Sequence, residues 1–144
     1  MERSAAVYST NGKLIVAPVI KTTAGIGLEV DPTTIEDASN IAAIGNCLCD
    51  ALSRSMRIIP HPAQDQWKGF FEPFQKAAGV RSYKAFMKEA IRIGIRESGT
   101  ELELTPHRNR GSKEGFEEIP DAAIVLAASD YEGAANALIR LLRP

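Results

Sequence analysis

A chain of 144 residues that is 44% hydrophobic and 24% charged has material for one proper core without disulfide or metal staples. No apolar run approaches the ~20 residues of a membrane helix, and the opening MERSAAVYST has no basic stretch leading into an apolar one, so a single cytoplasmic domain is expected. The net charge of −1 gives no overall bias toward an acidic or a basic partner.

Residues 4–10 and 13–20 read as strands joined by Asn11-Gly12, a dipeptide that tolerates the positive φ angles of a tight hairpin. The second strand is apolar on both faces, as a central strand is, yet Pro18 cannot donate to a ladder, which predicts an edge or a bulge there. Ile26, Leu28 and Val30 alternate with Gly27, Glu29 and Asp31 in a third short strand. Asp31-Pro32-Thr33-Thr34-Ile35-Glu36 has the early proline and the Thr33/Glu36 spacing of a helix start. Ala38, Ile41, Ala42, Gly45, Leu48, Leu52 and Met56 then line one face of a helix ending near residue 55. Cys47 and Cys49 lie on different faces of it, which disfavours a mutual disulfide or a paired metal clamp and fits a reducing compartment.

Ile59-Pro60-His61-Pro62 is expected to be extended, because a residue before proline leaves the helical region. From about Ala63 the rings of Trp67, Phe70, Phe71 and Phe74 recur at the spacing of one helical face. Pro73 predicts a break near Glu72, Gly79 a stop, and Ser82 a cap for a short helix bearing Tyr83, Phe86, Met87 and Ala90. At Ala90 the period changes to two. Ile91, Ile93 and Ile95 alternate with Arg92, Gly94 and Arg96 in a half-buried strand over 90–97, followed across Ser98-Gly99 by another over 101–107. A polar loop at 109–115, an extended piece at 116–119 and a buried strand at 122–127 follow. Ser129-x-x-Glu132 has capping-box spacing for a last helix with the stripe Tyr131, Ala134, Ala135, Leu138, Leu141 and Leu142. The expected fold is α+β in one domain. A mostly antiparallel sheet of about six strands packs with two or three longer helices, in the order βββα, a helical insert, βββα.

No assembled chemistry stands out. The two histidines, His61 and His107, are loop or strand-end residues, and no HExxH, spaced Cys/His set or calcium-type acidic triplet is present. Gly25-Ile26-Gly27 and Gly111-Ser112-Lys113 read as turns rather than phosphate loops. No catalytic residue, metal ligand or cofactor site is expected.

Charge is more informative, because its signs are segregated. Residues 54–96 hold nine lysines and arginines against three acids, and residues 97–132 hold nine acids against three bases. Basic residues interleaved with rings are what an RNA-binding surface uses, and with His61 and His107 as acid and base the region reads alternatively as an RNA-binding or RNA-cleaving domain. Against this, rings on one helical face and charges on the other describe a core-facing helix. The acidic set Glu97, Glu101, Glu103, Glu117, Glu118 and Asp121 is expected to gather on one sheet face, where like charges side by side are mildly destabilising and a cationic partner relieves them.

Several pieces together resemble the immunity proteins of bacterial contact-dependent growth inhibition systems. They are Asn11-Gly-Lys-Leu-Ile-Val-Ala-Pro18, Gly25-Ile-Gly-Leu-Glu-Val-Asp-Pro32, and Pro60-His-Pro62 with Trp67. Beyond them come Ala78-Gly-Val-Arg-Ser-Tyr-Lys-Ala-Phe86 and Gly115-Phe-Glu-Glu-Ile-Pro-Asp121, so the likeness spans nearly the whole chain. It implies a single immunity-type domain over 1–144 that is cytoplasmic and non-enzymatic and uses no cofactor. Such a protein binds the C-terminal toxin domain of a large secreted effector, 1:1, without contacting membrane or nucleic acid itself. Many such toxins are nucleases with basic clefts. The residues expected to meet the toxin are Glu97, Glu101, Glu103, Glu117, Glu118 and Asp121, with Arg108, Arg110 and Lys113 at the edge of that face.

Overall fold

Asn11 and Gly12 turn the chain with φ of 51° and 74°, joining β1 (Glu2–Thr10) to β2 (Lys13–Thr22) as an antiparallel hairpin. The computed structural model describes residues 2–142. A second hairpin, β6 (Ile91–Ser98) with β7 (Glu101–Asn109), docks on the first through β1, placing Val7 opposite Ile93. Short strands finish the sheet. β3 (Gly27–Glu29) and β4 (Thr33–Ile35) pair with β2, and β5 (Ile58–Ile59) runs parallel to its end. On the far side β8 (Phe116–Glu118) and β9 (Ile124–Ala127) both pair with β7. Among the described residues the main path is six antiparallel strands in the order β3-β2-β1-β6-β7-β8, and with four helices the fold is α+β as expected.

The strict alternation of a strand sorts side chains to two faces. Ala5, Val7, Leu14, Val16, Ile93, Ile95, Leu102 and Leu104 form one, closed by α1 (Ile41–Arg54) and α4 (Tyr131–Leu141) through Ile44, Leu48, Leu52, Ala135 and Leu138. Ala6, Tyr8, Ile15 and Ala17 form part of the other, against Phe74 and Ala78 of α2 (Trp67–Ala78) and Phe86 and Met87 of α3 (Tyr83–Met87). A small third cluster of Ile20, Leu28 and Val30 takes Trp67 and Phe70.

Pro18 does meet a bulge, and it lies on the neighbouring strand. Val19 pairs with Glu29 and Val16 with Thr33, three steps along β2 against four along its partner, and the extra residue, Asp31, takes φ 48°. The Pro18 carbonyl accepts from Val30 N at 3.1 Å. Its nitrogen points to the same edge, toward the bulge, where no donor is needed.

Other expectations are corrected. No helix starts at Asp31. The β-branched run Thr33-Thr34-Ile35 pairs with Leu14–Val16 instead, burying Ile35, and this outweighs the local capping pattern. The helix begins at Ile41, where Asn40 Oδ1 accepts from Ala43 N at 3.0 Å. Its buried stripe is therefore Ile44, Gly45, Leu48, Ala51 and Leu52, with Ala38, Ile41, Ala42 and Met56 exposed. α2 passes through Pro73 without the expected break. Pro73 and Gly69, whose carbonyl the ring meets, are both exposed, so that carbonyl can tilt into water. Gly79 does stop this helix, at φ 72°. The cap of α4 is Asp130, whose Oδ1 accepts from Gly133 N at 3.0 Å, while Ser129 turns the chain at φ 70°. The strand expected over 122–127 starts only at Ile124, after a 3-10 turn at Pro120–Ala122. As an edge strand it is half-buried only at alternate residues.

Candidate functional site

α2 and α3 cover only the Tyr8 end of their face. Pairing carries the same face onward through Arg92, Gly94 and Arg96 of β6, Glu101, Glu103, Thr105 and His107 of β7, Glu118 of β8 and Val125 of β9. Gly94 leaves a floor there, and a shallow open cavity of about 270 Å³ is rimmed by Glu2, Ser4, Val19, Arg96 and Glu118.

At the border of covered and open halves lies a polar network. Arg92 Nε donates to the Tyr8 hydroxyl at 3.2 Å, and its guanidinium carbon stands 5.8 Å from the centre of the Tyr8 ring. The Tyr8 hydroxyl donates to Glu29 Oε1 at 2.5 Å. Another Arg92 nitrogen donates to His107 Nε2 at 2.8 Å, and His107 Nδ1 lies 3.0 Å from the Thr105 carbonyl. A carbonyl only accepts, so the ring proton sits on Nδ1 and Nε2 is free to accept from Arg92. Burial and the Arg92 charge push the His107 pKa down, which keeps the imidazole neutral. Burial and the Glu29 charge push the Tyr8 phenol well up. A Cβ on Gly94 would come 3.0 Å from His107 Cε1, so glycine is what lets the ring lie against the strand.

The expected acidic set is divided between surfaces. Glu101, Glu103 and Glu118 are on the open face, Glu103 paired with Arg96 at 3.1 Å. Glu2, opposite Ser98 on the same face, belongs with them and was not among the expected residues. Glu97 is a correction. It lies opposite Leu102 on the helix-covered face, is 8% exposed, and accepts from Ser129 N at 3.0 Å and from the Tyr131 hydroxyl at 2.9 Å, fastening the start of α4. Glu117 is on the reverse side of β8, opposite Arg108 and bonded to Arg110 at 2.7 Å. Arg110 also holds Glu114 at 3.2 Å. Lys113 is in the exposed turn beyond β7, and Asp121 is in the 3-10 turn, off the ladder.

The residues of the RNA reading do not converge. His61 Nδ1 is 2.9 Å from Thr22 Oγ1 and its ring meets Trp67 edge-on, so it shares no partner with His107. Phe74 and Phe86 are buried, while Lys68 and Lys76 of α2, Lys84 of α3 and Lys88 just beyond it are exposed. Among the described residues no three His, Cys, Asp or Glu side chains are grouped to hold a metal ion, and Cys47 and Cys49 are free thiols. No helix among them is long and apolar enough to cross a membrane.

Alternation alone signals Arg92, between Ile91 and Ile93, as facing away from the core. Its partners Tyr8 and Glu29 are brought to it by strand pairing across long sequence separations, which no local pattern announces.

No family model and no curated protein matches the sequence. As a structure, the chain is similar to a protein of unknown function from Neisseria meningitidis, with a TM-score of 0.77 at 15% identity, covering 99% of this chain and 93% of that one. It is also similar to a chain of the CdiA-CT/CdiI toxin and immunity complex from Yersinia pseudotuberculosis, with a TM-score of 0.74 at 12% identity over 99% and 95% of the two chains. At these identities the likeness is one of fold.

Proposed function

We propose that the whole chain is a single immunity domain that acts in the cytoplasm. It binds the C-terminal toxin domain of a contact-dependent growth inhibition effector, 1:1, and covers its active or substrate-binding surface. The observation that carries this reading is the uncovered half of the sheet, a stiff surface bearing Glu2, Glu101, Glu103 and Glu118 in a fold shared with a chain of a toxin and immunity complex. Residues on paired strands are already ordered, so binding costs little conformational entropy. Carboxylates spaced along adjacent strands present negative charge to a basic cleft as a phosphate backbone does, which suits a nuclease toxin and speeds encounter. Arg108, Arg110, Lys113, Glu117 and Asp121, at the edge and reverse of this surface, make the rim contacts.

The chain runs no reaction of its own in this reading and needs no cofactor. His107 is neutral and accepts from Arg92, and His61 is engaged with Thr22, so neither is poised beside the other as an acid–base pair. The test is to mix the purified chain with the C-terminal toxin domain encoded beside it. The expected result is a 1:1 complex and loss of nuclease activity at equimolar chain. Full toxin activity in the presence of excess chain overturns the reading.

A further inference from the structure

Beside the open face lies a cleft of about 210 Å³ between β3 and α2, lined by Tyr8, Glu29, Trp67, Phe70, Phe71 and Phe74. Five of these are aromatic, and Trp67, Phe70 and Phe71 are only half-buried. One carboxylate stands among them. Glu29 Oε1 is used by the Tyr8 hydroxyl, whereas Oε2 receives no hydrogen bond among the described residues, and its nearest cationic nitrogen, on Arg92, is 3.8 Å away. Arg92 does not make the place cationic, because Glu29 and Glu118 both act on it and His107 is uncharged. Arg92 itself lies outside the cleft, in the neighbouring hollow, 5.8 Å from the centre of the Tyr8 ring that the two share.

We infer that this cleft receives a lysine or arginine side chain of the toxin, its stem against the rings and its charged head on Glu29 Oε2. The inference rests on the immunity reading and names the chemistry of one anchoring contact within it. Apolar walls strip water from the stem, ring faces attract the cation, and a carboxylate oxygen lacking a close donor supplies the direct bond. This is the make-up of an interface hot spot, a rigid pocket filled by a single long side chain.

Trp67 is the chain's sole tryptophan, so its fluorescence reports on the cleft directly. Titration with N-acetyl-lysine methylamide is expected to change that fluorescence saturably, and the norleucine analogue, which has no ammonium, is expected not to. Glu29→Gln keeps an acceptor for the Tyr8 hydroxyl and is expected to weaken both the lysine probe and the toxin about tenfold. Phe71→Leu, which keeps the volume apolar but removes the ring, is expected to weaken both severalfold. Equal responses to the two probes overturn the assignment, as does a folded Glu29→Gln chain with unchanged toxin affinity. A wild-type chain that does not bind the toxin at all overturns the immunity reading itself, which separates the two failures.

Discussion

The two faces of this sheet come from the same strands and are finished differently. One is closed by α1 and α4 over β1, β2, β6 and β7, and Val7, Leu48, Leu52, Leu102, Leu104 and Leu138 there are fully buried. The other is closed over Ala6, Tyr8, Ile15 and Ala17, and around Arg96, Glu101 and Glu103 it is left to solvent, with the polar network of Arg92 along the border. Stability is concentrated where the helices sit, which leaves the open half able to carry charge that contributes nothing to the core. A binding surface can then differ between relatives without endangering the fold. Its surface changes should therefore be thermodynamically mild and functionally severe, and changes under α1 and α4 the reverse.

The largest effect on stability is expected beneath the helices. Leu48→Ala should lower unfolding free energy by about 2–5 kcal/mol in urea titrations, with toxin affinity per folded molecule unchanged. A drop in affinity of the folded fraction would break the division between the faces. Next comes Glu97, which belongs to the stabilising face despite its charge. Glu97→Ala strands the Ser129 amide and the Tyr131 hydroxyl and should cost about 1–3 kcal/mol, again without slowing toxin association.

A smaller effect at high pH sharpens the same point. Burial and Glu97 push the Tyr131 phenol up to about 12. In the unfolded chain it loses its proton near 10. Between those values the folded state binds more protons than the unfolded one, so stability falls as pH rises through this window and is unaffected below it. Tyr131→Phe should flatten that fall in pH-dependent unfolding curves. Some slope should remain from Tyr8, whose phenol is also raised. An unchanged slope would place Tyr131 outside the network.

Much of this division is legible in the sequence. Asn11-Gly12 and Ser98-Gly99 announce the hairpins, and the switch of period at Ala90 announces β6. Parity also assigns faces within a strand. Ile93, Ile95 and Glu97 share one parity, so alternation itself points Glu97 at the core, and only its charge suggests otherwise. Glu117 and Glu118 could not be sorted in the same way, because a three-residue strand shows its face only once paired with β7. The false helix start at Asp31 has a similar origin. Its capping pattern is local, and the partner that makes Thr33–Ile35 a strand, Leu14–Val16, lies far back in the chain. Tyr8, Glu29, Arg92 and His107 are assembled entirely by such pairings.

The smallest expected change in stability accompanies the most telling change in binding. Glu101→Lys with Glu103→Lys alters exposed and half-exposed strand positions and, among the described residues, breaks only the Arg96 ion pair, so stability should move by less than about 1 kcal/mol. The decisive measurement is the association rate constant of this double variant with the toxin domain as a function of ionic strength, beside that of the wild type. The rate at low salt should fall tenfold or more, and its salt dependence should flatten as the attraction is removed. A folded double variant whose rate and salt dependence both match the wild type would show that the toxin does not approach the open half of the sheet.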